Sequence, residues 1–349
     1  MAEYRQATVF DVAKEAGVST ATVSNVLNRR DVPLSEKTIR KVEEAAAKLG
    51  YRRNVMAASL SRRKTYEVGL LLPGFVGYYG LFAQQMERTA HKYGYHLSVF
   101  STDMDSKVER RLLEKLLERR VDGLFCHGLA MSGDSARKVV NDGTPILFFN
   151  CWNELKHLAI GTVNLNVYQA CVDAVVHLHE QGCRSFFYYG NKRAFATNEQ
   201  RIHGFREGLR LTGGKHPADM IDVEDIAADD LAEWLAERSE DATPAGVMCF
   251  DDWKAFVCQN RLIEGGYDVP GRFKVVGINN EFVAGHSYPG ITSFNVPYEH
   301  QADMSFRWML THLGEQAKLE AKGERPFSPP VAGGEVKIPL TLVERLSSR

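Results

Sequence analysis

The sequence predicts an α/β protein: a small all-α head, then a larger body of two similar subdomains built on parallel sheets. Three observations carry this. Over the first fifty positions, apolar residues recur at helical spacing between polar caps and glycine stops. From Tyr66 onward, short apolar runs alternate with amphipathic segments, the pattern of doubly wound sheets. The charge is also divided: residues 1–64 hold 13 Lys/Arg against 7 Asp/Glu, which leaves 30 against 37 for the rest. The net charge of −1 therefore hides a basic head on an acidic body, and the head suits a nucleic-acid partner.

Composition narrows the class. At 349 residues, 44% hydrophobic and 25% charged, the chain has material for two or three domains with ample core. It holds no apolar run of bilayer length, and "MAEYRQATVFDVAK" lacks a signal-like apolar region. A cytoplasmic protein without a membrane partner is expected. Cys126, Cys151, Cys171, Cys183, Cys249 and Cys258 form no C-x-x-C and lie mostly in apolar runs, which fits buried, reduced thiols.

In the head, Thr8 is placed to cap a helix carrying Val9, Val12, Ala13 and Ala16, with Asp11 in its first turn. Gly17 supplies the turn, Ser19 caps a second helix through Leu27, and Ser35 caps a third that ends at Gly50. The spacing of Ala13, Gly17 and Val23 is that of a helix-turn-helix: a small residue at the crossing, a glycine in the turn, a valine that locks the second helix. Small and hydroxylated residues in "GVSTATVSNVLN" then fall on the open face of the second helix.

In the body, "EVGLLLP", "HLSVFS", "GLFCHG" and "PILFFN" read as buried strands, with helices near 80–93, 106–120 and 132–141. The series repeats with "SFFYYG", "AGVMCF" and "KVVGIN" and helices near 166–181, 200–212, 228–238 and 252–265. Ligand groups are expected at the carboxyl ends of these strands.

"TVFDVAKEAGVSTATVSNVLN", "LSEKTIRKVEEAAAKLGYRRN" and "MAASLSRRKTYEVGLLLP" resemble the DNA-binding head of the lactose-repressor/galactose-repressor (LacI/GalR) family, and the likeness runs on to "PLTLVER". The resemblance implies a ligand-controlled transcriptional regulator, expected to be a repressor, whose homodimer binds double-stranded DNA at a palindromic operator. It implies a head with hinge helix over 1–62 and a periplasmic-binding-protein-like body over 63–349. Three crossings near 163, 292 and 326 would divide that body into 63–163 with 292–325 and 164–291 with 326–349.

Residue by residue, the resemblance places Thr20, Ala21, Ser24 and Asn25 against base edges and Ser19 and Thr22 near phosphates. Asn28 ends the recognition helix, and Thr8, Tyr51 and Asn54 complete the DNA-facing set. Ala57 and Leu60 match the hinge positions that enter the minor groove and part the central base step. Asn25 stands where many relatives carry an arginine, which shifts the expected reading toward adenine. Arg53 replaces a common hinge proline.

For the effector, the resemblance points to Tyr78, Tyr79, Asn150, Arg201, Asp251, Asn279 and Tyr298. Asn279 occupies a place that is often aspartate. With that charge missing, Lys192 and Arg193 beside Arg201 favour an anionic ligand, so a sugar, sugar acid or sugar phosphate is expected. A purine or nucleoside, or a ligand that strengthens DNA binding, is the alternative. The absence of a leucine heptad after "PLTLVERLSSR" favours a dimer over a coiled-coil tetramer.

Competing chemistries are weaker. "GHSYPG" at 285–290 misplaces a glycine of the nucleophile elbow and precedes a strand rather than a helix. "HLHE" sets two histidines on different faces of a helix, so no metal is expected. There is no phosphate-cradling G-x-x-x-x-G-K-[ST] or strand-linked G-x-G-x-x-G, and no cofactor is expected. An exported binding protein could use the same cleft, but it would carry an export signal and no basic head.

Overall fold

The computed structural model describes residues 7–27, 32–51, 64–213, 226, 228–240, 242–327 and 334–349. The chain separates into two compact units, with the division between Thr65 and Tyr66.

The first unit is a three-helix cluster: α1 (Val9–Ala16), α2 (Thr20–Leu27) and α3 (Glu36–Lys48). A reciprocal cap opens α1. The Asp11 amide donates to Thr8 Oγ1, while Thr8 N–H donates to Asp11 Oδ2 at 2.8 Å. Gly17 ends the helix at φ +64°, a conformation that costs a side chain strain and glycine nothing. The core is small: Val12, Ala13 and Ala16 meet Val23 and Val26 of α2 and Val42, Ala45 and Ala46 of α3. Ala13 at the crossing and Val23 at full burial play the parts their spacing predicts.

The second unit contains two sheets. The first has the order β10-β5-β4-β3-β1-β2, made from β1 (Glu67–Leu72), β2 (His96–Ser101), β3 (Gly123–His127), β4 (Ile146–Phe149), β5 (Gly161–Leu165) and β10 (Glu335–Ile338). The second has the order β11-β9-β8-β7-β6, from β6 (Ser185–Tyr189), β7 (Ala245–Cys249), β8 (Phe273–Asn279), β9 (Thr292–Asn295) and β11 (Thr341–Val343). All pairings are parallel except β11 with β9, which is antiparallel and departs from the all-parallel expectation.

Helices cover the sheets. α4 (Tyr78–Lys92), α5 (Ser106–Glu118), α6 (Gly133–Asn141) and α12 (Tyr298–His312) lie in the first subdomain. α7 (Val167–Glu180), α8 (Phe195–Thr212), α9 (Leu231–Arg238), α10 (Asp252–Glu264) and α11 (Phe282–His286) lie in the second. α7 and α8 approach closely because Gly204 and Gly208 lack side chains: a β-carbon at Gly204 would sit 2.1 Å from the Tyr168 carbonyl oxygen. All six cysteines are buried, free thiols.

The crossing points differ from the expected ones. β5 keeps residues through Leu165 in the first sheet, and β9 keeps Thr292–Asn295 in the second. β10 returns to pair with β5 before β11 joins β9, so the third crossing falls at residues 339–340 rather than near 326. The reason is edge pairing. Each sheet takes one short C-terminal strand onto an open edge, and four- and three-residue strands carry almost no periodicity of their own. The expected head boundary at 62/63 touches residues outside the described set.

Candidate effector cavity and DNA-facing helix

At the carboxyl ends of both sheets the chain encloses a cavity of about 260 Å³. That is near the lower end for ligand pockets, which run from about 300 Å³ upward, and it suits a ring-sized molecule. Its wall is aromatic and aliphatic: Val76, Tyr78, Tyr79, Trp152, Leu165, Val167, Phe250 and Trp253. Into this wall are set His127, Asn150, Thr197, Arg201, Asp251, Asn279 and Glu281.

Six of the seven expected effector residues meet here: Tyr78, Tyr79, Asn150, Arg201, Asp251 and Asn279. Tyr78 opens α4, stacks on Phe82 at 5.6 Å and donates its hydroxyl to Gln301 Oε1 at 2.8 Å, so it offers the cavity a ring rather than a donor. Tyr79 lies edge-on to His127 at 5.2 Å, and burial pushes its phenol up to about 12. Asn150 follows β4 at φ +47°, and its Oδ1 accepts from the Leu165 amide at 3.0 Å. Tyr298 is the exception. Its ring packs against Tyr78 at 5.6 Å, and it is not among the residues that line the cavity.

Arg201 is the dominant charge. Only 5% exposed, it stacks over the Phe250 ring at 4.1 Å. Its Nη1 has a long contact of 3.5 Å to the Thr197 carbonyl, and its Nε is buried without an acceptor. A buried guanidinium without a carboxylate partner is costly, and a ligand acceptor removes that cost. Thr197 Oγ1 is likewise buried and unpartnered.

Two carboxylates face the same space. Asp251 caps α10, with Oδ1 accepting the Lys254 amide at 2.8 Å, and it also lines the cavity. Glu281 accepts from Asn279 Nδ2 at 2.8 Å. The negative charge that seemed missing at Asn279 is thus supplied two residues later, with Asn279 holding it in place. Asp252 does not reach the cavity. Fully buried, it accepts from Ser293 Oγ and from the Glu281 amide, and desolvation lifts its carboxyl to about 7.

Sequence reasoning missed His127, Glu281, Thr197, Trp152 and Trp253. His127 ends β3, so the rule that ligands sit at strand ends could have found it. Its Nδ1 accepts from the Leu129 amide at 3.1 Å, which places the proton of the neutral ring on Nε2. Burial, reinforced by Arg201, lowers its pKa to about 3, so the ring stays neutral. Lys192 is exposed and does not line the cavity, and the Arg193 side chain lies outside the described residues. Among the described residues, the cavity therefore sets one guanidinium against two carboxylates.

In the head, α2 buries Val23 and Val26 and leaves Ala21 exposed, with Thr20, Thr22, Ser24 and Asn25 half-buried. Ser19 Oγ accepts the Thr22 amide at 3.1 Å and pairs with Thr22 Oγ1 at 2.9 Å, so this hydroxyl pair fixes the start of the helix. Thr8 is committed to its cap with Asp11, and Tyr51 packs against the three-helix core. Asn28, Asn54, Ala57 and Leu60 lie outside the described residues.

Residues 8–54 match the family model described as bacterial regulatory proteins, lacI family, and residues 175–348 match a periplasmic binding protein-like domain. The chain belongs to the LacI family. This LacI-family chain is a DNA-binding transcriptional regulator whose periplasmic-binding-protein-like domain takes an effector, and the family is not enzymatic. It is 26% identical over 314 residues to catabolite control protein A of Staphylococcus aureus, covering 90% of this chain and 94% of that protein. Catabolite control protein A of Streptococcus mutans is 28% identical over 316 residues, with 90% and 93% covered.

Among solved structures, the lac repressor dimer bound to operator and the anti-inducer ONPF superposes with a TM-score of 0.81 at 20% identity, covering 99% of both chains. The CelR–cellobiose complex superposes with a TM-score of 0.65 at 22% identity, covering 98% of this chain and all of that one. These likenesses establish the shared architecture of helical head and two-sheet body. No described helix is long and apolar enough to cross a membrane, and no group of three potential metal ligands occurs among the described residues.

Proposed function

We propose that this regulator is a homodimeric repressor of a palindromic operator, controlled by a neutral, hydroxyl-rich sugar bound between its two subdomains. The observation that carries the sugar reading is the composition of the cavity: aromatic walls around Arg201, Asp251, Glu281 and the His127 imidazole. Aromatic faces suit the apolar side of a sugar ring, while carboxylates accept from hydroxyls and the guanidinium donates to ring and hydroxyl oxygens. A solved relative holds cellobiose, which supports the class.

On the DNA side, Thr20, Ala21, Ser24 and Asn25 read base edges in the major groove, and Ser19 and Thr22 position the helix on phosphates. Two-fold protein symmetry asks for two-fold DNA symmetry, and the operator-bound dimer of a relative supports that arrangement. Leu60 and Ala57 of each hinge enter the minor groove at the operator centre. The sugar acts through its difference in affinity between two poses of the subdomains.

The test is a selection of random duplexes on the purified protein, repeated with a panel of neutral sugars, sugar acids and sugar phosphates. One enriched palindrome, released by a neutral sugar and with a salt slope of about −5 to −9, is the expected result. Release only by acids or phosphates would refute the ligand class and leave the reader intact.

A further inference from the structure

Helix α4 has no cap of its own. Its N-cap is Gly77 at φ +60°, which offers no side-chain acceptor to the first-turn amides. The acceptor comes from the other subdomain. Glu281 follows β8 of the second sheet, and its carboxylate lies against Gly77 at the start of α4, which follows β1 of the first; the Tyr78 amide there favours its charged form. A β-carbon on Gly77 would lie 2.8 Å from Glu281 Oε1 and 3.2 Å from Oε2, so the carboxylate is pressed against the entrance of the helix.

On its own side Glu281 is anchored twice. Asn279 Nδ2 donates to Oε1 at 2.8 Å, and the Glu281 amide donates to buried Asp252 at 2.6 Å. The positive end of the helix dipole adds to the attraction across the gap. Glu281 also lines the cavity, so its oxygens stand where a bound molecule reaches them.

We propose that Glu281 is a latch: a carboxylate carried by the second subdomain that caps α4 of the first and holds the two closed before any ligand binds. Closure and ligand then draw on one acceptor. A hydroxyl that donates to Glu281 competes with the Tyr78 amide, which links ligand entry to release of α4. The inference depends on the two subdomains being able to separate and not on which ligand the cavity takes.

The experiment measures the distance between nitroxide labels on Lys107→Cys in α5 and Glu233→Cys in α9, in the full chain without ligand. Both positions are exposed and the six native cysteines are buried. Labelled chain is diluted into unlabelled chain so that any dimer carries at most one labelled copy. Glu281→Ala should raise the open fraction by about three- to tenfold, and Asn279→Ala by less with the same sign. Glu281→Gln, which keeps size and one acceptor, should fall between wild type and Ala and guards against a misfolded variant.

Hydrogen exchange over residues 73–82 is read in parallel. Faster exchange there with unchanged distances would make Glu281 a local cap and overturn the latch. Unchanged exchange and unchanged distances would overturn the contact itself. No sugar enters this experiment, so its failure is separate from failure of the sugar reading.

Discussion

The Arg201 guanidinium carbon lies over the Phe250 ring at 4.1 Å, and no carboxylate pairs with it among the described residues. α8 brings the cation and the loop after β7 brings the ring, so the second subdomain builds this platform by itself. A cation held on an aromatic face keeps its in-plane donors free for a planar or bidentate acceptor.

Removing that platform should separate binding from folding. Arg201→Ala should abolish the effector response, with a loss in ligand affinity of about 30-fold or more, and leave operator affinity within about twofold. Because an uncompensated buried cation is removed, thermal stability should hold or rise. Ligand titration with operator binding and a melting curve checks this; a retained response would move the cavity's function elsewhere.

Asp252 makes stability depend on pH with a definite sign. Its folded pKa of about 7 lies above its ordinary value of 3.8, so folding favours the protonated form. Its contribution is full below pH 4 and is lost as pH rises through 7, an effect on the order of a few kcal/mol. Wild type should therefore lose melting temperature between pH 5 and pH 8 more steeply than Asp252→Asn. Parallel slopes for the two proteins would refute the assignment.

His127 should stay neutral across the working range, since burial holds it at about 3. Nitrogen NMR of labelled imidazoles is expected to show one ring in the Nε2–H form with no titration from pH 8 to pH 5. His127→Asn keeps a donor and should retain more ligand affinity than His127→Leu, which keeps only bulk.

Close packing of α7 against α8 gives a stability test. Gly204→Ala would force a β-carbon to 2.1 Å from the Tyr168 carbonyl, a backbone atom that cannot turn aside. Destabilisation of about 2–4 kcal/mol is expected by denaturant titration. Gly213→Ala meets nothing within 4 Å but stands at φ +67°, so its loss should be smaller, about 1 kcal/mol.

Asn25 sits half-buried on α2, on the face proposed to read base edges. Asn25→Ala should relax preference at one base position of each half-site, by about 1–3 kcal/mol, without changing the salt slope. A parallel loss on all sequences would assign Asn25 to the phosphates instead.

Much of this was legible in the residues. Thr8, Asp11, Gly17 and Ser19 encode caps and turns through their own short-range chemistry, so α1 and α2 could be drawn before any packing was known. The buried strands announced themselves as continuous apolar runs, and their ends pointed to Asn150, Asp251 and Asn279. The edge strands β10 and β11 stayed hidden, because their register is set by the partners β5 and β9.

The sequence by itself determined a basic helix-turn-helix head, a body of two wound halves, and a ligand cleft at their strand ends, since caps, periodicity and charge are local properties. Tertiary structure alone decided which charges face that cleft. It left Lys192 off the cavity wall, packed Tyr298 against Tyr78, and brought His127 and Glu281 in from separate subdomains. Such choices depend on where distant strand ends converge, and a carboxylate cannot reveal in sequence that the helix it will cap lies two hundred residues earlier.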